Sequence, residues 1–221
     1  MRIVLDAMGG DFAPKEPIAG AVQAVKDFKD IHIILTGKED LIKEELSNYE
    51  YPDDRISIVH CSEVIEMNDA PATAIRRKRD SSIVIGATLV KKGEADAFVS
   101  AGNTGACMSA GVLKIRPIKG IHRPAIATVF PNIKDQTVVL DVGANVDCDP
   151  KELVQFALMG KIYAERVLKK ENPRIGLLNN GEEEKKGNKL SKETYPLLKE
   201  QSINFIGYVE GGIFLMVKLM L

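Results

Sequence analysis

Four short stretches hold the side chains that could do chemistry, and each follows an apolar run. Ser100-Ala-Gly-Asn-Thr-Gly-Ala106 comes after Ala95-Asp-Ala-Phe-Val99 and before the small residues Cys107-Met-Ser-Ala-Gly-Val-Leu113. Gly102 and Gly105 let the backbone approach a ligand, and Ser100, Asn103 and Thr104 add side-chain donors. A strand that ends in such a turn and opens a helix points unpaired N–H groups at an anion. The other stretches have the same form. Asp6, Gly9, Gly10 and Asp11 follow Arg2-Ile-Val-Leu5. Asp141, Gly143, Ala144 and Asn145 follow Thr137 to Leu140. Asn179, Gly181, Glu183, Lys186, Gly187 and Asn188 follow Arg174 to Leu178.

This inventory is rich in glycine, amide and carboxylate groups, with one lysine. It has no histidine paired with a nucleophile, no Gly-x-x-x-x-Gly-Lys-Ser/Thr and no Gly-x-Gly-x-x-Gly, so neither a P-loop nucleotidase nor an ordinary dinucleotide dehydrogenase is supported. Chemistry that needs anion donors but no protein nucleophile is attack by phosphate on an activated acyl group. Phosphate is already an anion; the protein fixes it, holds a carbonyl at attack distance and stabilises the oxyanion. One helix end contributes only about 0.3–1 kcal/mol toward an anion, so several turns and a cation are needed. Lys186, Asn103 and Asn145 are the candidate catalytic groups. Asp6, Gly9, Gly10, Asp11, Ser100, Gly102, Thr104, Gly105, Asp141, Gly143, Asn179, Gly181, Glu183 and Gly187 are the candidates for holding phosphate and substrate. The aspartates would repel phosphate unless paired; orienting Lys186 or loop N–H groups, accepting a substrate proton and capping a turn remain open for each.

Positioning these turns requires strands that end on one edge. Apolar runs at 2–5, 31–35, 56–59, 95–99, 125–130, 137–140, 174–178 and 204–207 alternate with helical periodicity at 18–28, 41–49, 71–79, 83–92, 152–168 and 190–201. Pro196 is expected to kink the last helix or mark its start. Alternation of this kind predicts an α/β, doubly wound, mostly parallel sheet, which gathers ligands outside the carboxyl ends of its strands. The polar stretch from Gly181 to Lys189 reads as a mobile loop over the site. The run Arg76-Arg-Lys-Arg79 reads as a solvated helix face, open to an acidic partner or a phosphate, and Glu182-Glu-Glu184 as a solvated loop.

With 221 residues, 45% hydrophobic but only 5% aromatic and without Trp, the chain suits an aliphatic core of the parallel-sheet type. Its net charge of −1 gives no general reason to expect nucleic acid or a membrane surface. Cys61, Cys107 and Cys148 fit no metal spacing, and Cys61 and Cys107, beside apolar runs, read as small core residues; no metal is expected. The chain opens on a strand, so no signal peptide is expected and a cytoplasmic setting is.

Asp6-Ala-Met-Gly-Gly-Asp11, Ser100-Ala-Gly-Asn-Thr-Gly-Ala106, Asp141-Val-Gly-Ala-Asn145 and Asn179-x-Gly-x-Glu183-x-x-Lys186-Gly-Asn188 resemble, in order and spacing, the signature segments of the bacterial phosphate acyltransferase family PlsX. The resemblance implies transfer of a fatty acyl group from acyl–acyl carrier protein to orthophosphate, giving acyl phosphate for phospholipid synthesis. It also implies a fold similar to the isocitrate/isopropylmalate dehydrogenases and to phosphotransacetylases, a homodimer, no organic cofactor and, in the longer family members, peripheral membrane association. It extends from Met1 to about Glu210; residues 211–221 are nearly all apolar and unlike the family, whose members continue further. The expectation is a domain over 1–210, incomplete relative to the family, and an atypical tail over 211–221, as truncation or a shifted frame would produce. Two other readings stay open: a dehydrogenase of the same fold group, and a chain that binds an anion or carrier protein without turnover.

Overall fold

The computed structural model describes residues 1–132 and 135–211, so most of the apolar tail lies outside the described residues. Two compact units result, Met1–Ile118 and a second that begins at Lys119.

In the first unit β1 (Arg2–Asp6), β2 (His32–Gly37), β3 (Ile56–His60) and β4 (Ala97–Val99) form a parallel sheet in the order β3-β2-β1-β4. Alternation along each strand explains its two layers. Ile33 and Leu35 face Ile18, Val22 and Ile42, which belong to α1 (Lys15–Asp27) and α2 (Glu39–Leu46). Val4 and Ile34 join a cluster on the other side with Leu89 and Val90 of α4 (Ser82–Lys91). A third cluster joins Ala74 and Ile75 of α3 (Pro71–Arg77), Ile83 and Ala87 of α4, and Ala106 and Ala110 of α5 (Thr104–Ala110). The small side chains of α5 are what allow that close packing. After α5 the chain makes a short π-helical stretch, Gly111–Ile115.

The second unit differs in detail from a uniformly parallel reading. β5 (Thr128–Pro131) and β6 (Gln136–Val139) pair antiparallel, and Ala125 to Ala127 lie outside the strand. Strands this near in sequence, with few residues between them, can close only as a hairpin, because a parallel return needs a crossover. β7 (Arg174–Asn179) and β8 (Asn204–Glu210) are parallel, joined through α7 (Lys189–Lys199). Pro196 lies inside α7, neither starting nor ending it. The mostly parallel α/β class therefore holds, but among the described residues the strand pairings fall into three sheets, one of them an antiparallel hairpin.

The helix α6 (Pro150–Arg166) starts on a reciprocal cap. Asp149 accepts from the Glu152 N–H at 2.9 Å, and Glu152 accepts from the Asp149 N–H at 2.9 Å. Arg123 sits 3.0 Å from the other Glu152 oxygen. Asp149→Ala removes one half of this box and is expected to cost about 0.5–2 kcal/mol. The check is a urea titration: a lower midpoint at unchanged slope is expected, and an unchanged midpoint contradicts it.

Candidate functional site

Parallel pairing of β1 with β4 brings the first two turns together. Leu5 is in register with Val99, so Asp6 and Ser100 emerge side by side at the carboxyl edge. The Asp6 side chain is 1% exposed and carries no cationic partner among the described residues. Its oxygens accept instead from the Met8 N–H at 3.0 Å and the Ser100 hydroxyl at 2.7 Å. Ser100 Oγ in turn accepts from the Gly102 N–H at 3.0 Å. Asp6 is therefore a brace between two turns, and the Gly102 N–H is spent on that brace.

Asn103 caps α5, its Oδ1 accepting from the Ala106 N–H at 2.9 Å. Its Nδ2 donates to the carbonyls of Glu66, Met67 and Asp69 at 3.2, 3.0 and 3.2 Å. The amide of Asn103, expected to serve chemistry, is here fully engaged in tying α5 to the 66–69 segment. Thr104 is exposed, and Gly105 lies where a Cβ would stand 2.6 Å from Pro71 Cγ.

A cavity of about 340 Å³ opens between the β1 turn and residues 99–101. Asp6, Asp11 and Glu16 line it, without a lysine or arginine. On its own this first-unit lining suits phosphate poorly, because three carboxylates face it and no cation offsets them. Asp11 is exposed and Gly10 has φ +103°.

In the second unit Asp141 again organises a turn. It accepts from the N–H groups of Ala144 at 3.2 Å and Asn145 at 2.5 Å, and from Asn145 Nδ2 at 2.9 Å. Asn145 Nδ2 also donates to the Pro124 carbonyl at 3.0 Å. Gly143 lies exposed in that turn.

The turn after β7 carries the cation. Asn179 Nδ2 donates to the Gly181 carbonyl at 3.0 Å, and the Lys186 N–H to the Glu183 carbonyl at 2.9 Å. Lys186 Nζ stands 3.3 Å from Glu183, and its side chain is 53% exposed. The Glu183 backbone N–H, and next the Lys186 ammonium, hold the Glu183 carboxyl below its ordinary range. A pair this open to water contributes little, so the ammonium can be given up to an anion. Gly187 has φ +102°, and a Cβ there would lie 2.6 Å from Asn179 Oδ1. Only glycine lets the turn pass that close to β7.

Glu184 is exposed, in keeping with a solvated loop, and it also has partners. It accepts from the Tyr195 hydroxyl at 2.9 Å and the Lys199 ammonium at 2.8 Å, so the Gly181–Lys189 stretch is strapped to α7. Lys199 first, then Tyr195, lowers the Glu184 carboxyl from its ordinary value. In the basic run Lys78 is paired with Asp69 at 2.5 Å, while Arg76, Arg77 and Arg79 are exposed. Burial pushes the Cys61 thiol up to about 12, which suits the packed residue expected there. Among the described residues no cluster of three or more His, Cys, Asp and Glu is placed to hold a metal ion. No described helix is long and apolar enough to cross a membrane.

The four turns thus divide two and two between the units. Within the first, Asp6, Gly9, Ser100 and Gly102 touch; within the second, Asn179, Gly181, Glu183, Lys186 and Gly187 cluster. Asn180 and Asn188, beside that cluster, line a cavity of about 390 Å³ at the end of β7. Asn188 belongs to the fourth stretch and caps the helix α7 through the Ser191 N–H, whereas Asn180 was not among the residues singled out in the sequence.

The profile of a family described as "Fatty acid synthesis protein" matches residues 1–216. A phosphate acyltransferase of Clostridium tetani is 53% identical over 210 residues, which cover 95% of this chain and 63% of that protein. One of Desulfitobacterium hafniense strain Y51 is 55% identical over 211 residues, covering 96% and 62%. The chain therefore spans less than two thirds of the length of these curated relatives. Among solved structures, a phosphotransacetylase from Streptococcus pyogenes superposes with a TM-score of 0.70 at 19% identity, covering 95% of this chain and 68% of that one. The EutD phosphotransacetylase from Staphylococcus aureus gives 0.67 at 17%, with the same coverage. At these identities the structural likeness speaks for the fold.

Proposed function

The chain belongs to the fatty acid synthesis protein family, and from that membership we propose that it moves a fatty acyl group from a thioester to orthophosphate. The observation that supports this reading is the β7 turn: a half-exposed ammonium, Lys186, in an open ion pair, beside unspent amide donors at a strand's carboxyl end. That arrangement attracts a small anion and supplies neither a base nor a nucleophile, which a phosphate nucleophile does not need.

In this reading a phosphate oxygen attacks the thioester carbonyl carbon. A tetrahedral oxyanion forms, and amide N–H groups stabilise it where charge develops. The carbon–sulfur bond then breaks; the thiolate leaves and takes a proton, and acyl phosphate remains. Lys186 offsets the charge of the attacking phosphate. Asp6 and Asp141 act as braces that hold the turns, each accepting hydrogen bonds from its own loop. The proposed donor is acyl–acyl carrier protein, the product's role is phospholipid synthesis, and the working unit is a cytoplasmic homodimer.

The test incubates the purified chain with palmitoyl–acyl carrier protein and inorganic phosphate. Release of free carrier thiol that depends on phosphate, with acyl hydroxamate trapped by hydroxylamine, is the expected result. Thiol release at the same rate without phosphate rejects the reading in favour of a hydrolase. No release at all leaves a binding chain without turnover.

A further inference from the structure

We infer that the cavity under the Lys186 turn holds the acyl chain, so that the two substrates part by polarity across one rim. This rests on the acyl transfer proposed above and adds where its apolar half is bound. Four leucines wall the cavity: Leu177 and Leu178 from β7, Leu153 from α6 and Leu190 from α7. Its other side, the rim, is polar, with Asn179, Asn180, Asn188 and Ser191. A volume of about 390 Å³ lies within the range of small-molecule sites, which pair apolar walls with a few placed polar groups.

The walls decide the occupant. Against the leucine side a phosphate would lose its water without a hydrogen bond in return, whereas each methylene of an alkyl chain gains by leaving water. The rim suits the other end of that chain. Asn188 Oδ1 is spent on the Ser191 N–H, but its Nδ2 donates to no group among the described residues. A neutral N–H donor there matches the carbonyl oxygen of a thioester. Lys186 stands two residues before Asn188 in the same turn, outside the leucine walls, where a phosphate would be offered to that carbonyl. The chain goes in, the carbonyl stays at the rim, and the anion stays in water.

The test changes the wall and leaves the rim. Leu153→Phe fills the cavity and Leu153→Ala enlarges it; Leu153 lies in neither the Lys186 turn nor the Asn rim. For butyryl and palmitoyl thioesters, Leu153→Phe is expected to cut the palmitoyl-to-butyryl ratio of kcat/KM by about fivefold or more, with the KM for phosphate unchanged. Leu153→Ala is expected to move the ratio the other way. A ratio unmoved in both folded variants overturns the assignment. A second measurement needs no turnover. The wild-type chain is irradiated with a palmitic acid analogue that carries a diazirine on its chain, then digested and mapped by mass spectrometry. Labels in 150–166 and 174–190, suppressed by excess palmitate, support the cavity. Labels confined elsewhere overturn it, even where acyl phosphate is made. If no acyl phosphate is made but the labels fall in these segments, the cavity stands and the acyl-transfer reading fails.

Discussion

Lys186→Ala is expected to raise the KM for phosphate by about 10–150-fold, while Lys185→Ala changes it by less than about threefold. The first figure converts the ~1.5–3 kcal/mol of one charge-assisted hydrogen bond into affinity. Both lysines are exposed neighbours, so they contribute almost equally to the long-range field that steers an anion. They differ in fixed geometry. Lys186 is folded back by its own N–H on the Glu183 carbonyl and by its ammonium on the Glu183 carboxylate, over a turn that Gly187 closes. Lys185 makes no ion pair among the described residues. Initial rates against phosphate at fixed acyl donor separate the two. Equal effects would remove Lys186 from the site.

Lys186→Arg extends the same argument. Arginine keeps the charge but spreads it over a planar fork, where a compact ammonium fits the space beside Gly181. A partial loss is expected, between wild type and alanine. The Glu183 carboxyl is held below its ordinary value, so the pair stays intact above that value. The pair is lost only as pH falls through the lowered value, so phosphate use near neutral pH is independent of Glu183 titration.

What the residues disclosed in advance was chemistry type and local structure. Ile33, Ile34 and Leu35 announce a strand buried on both faces, because no polar residue interrupts them, and the structure covers both with helices. Asp6 and Ser100 were each visible as strand-end polar groups, but they lie 94 residues apart, and only the pairing of β1 with β4 joins them. The fate of Asn103 was invisible for the same reason. Its three carbonyl acceptors lie 34 to 37 residues upstream, in a segment with no periodicity to mark it. Glu184 shows a different limit. A glutamate among glutamates carries no mark of its partners, which α7 supplies 11 and 15 residues later, one turn of helix apart. The hairpin of β5 and β6 escaped because apolar runs report burial and not the direction of a neighbour.

Gly9→Ala is the second large effect, and it acts on the other pair of turns. A Cβ on Gly9 would stand 2.6 Å from Asp6 Oδ2, 2.8 Å from the Gly102 nitrogen and 2.9 Å from Ser100 Oγ. None of these neighbours is a flexible tip free to swing away. Asp6 is buried and held by Met8 and Ser100, and Gly102 is held by Ser100, so the methyl must part the β1 turn from the β4 turn. Overpacking of this kind costs about 1–3 kcal/mol. Breaking the Ser100 bond as well leaves a buried carboxylate short of a donor, a further cost of about 1–3 kcal/mol. A fall in melting temperature of roughly 4–24 °C follows, at about 2–4 °C per kcal/mol for a chain of this size. Gly20→Ala, inside α1 with open space around its Cβ position, is the control and is expected to hold or raise stability by about 0.5–1 kcal/mol. Ser100→Ala in the Gly9→Ala background then reads the mechanism. If the methyl acts by displacing Ser100 from Asp6, the two losses are strongly non-additive, because the second removes a bond already broken. Additive losses would mean that the methyl acts elsewhere and that Asp6 does not brace the two turns.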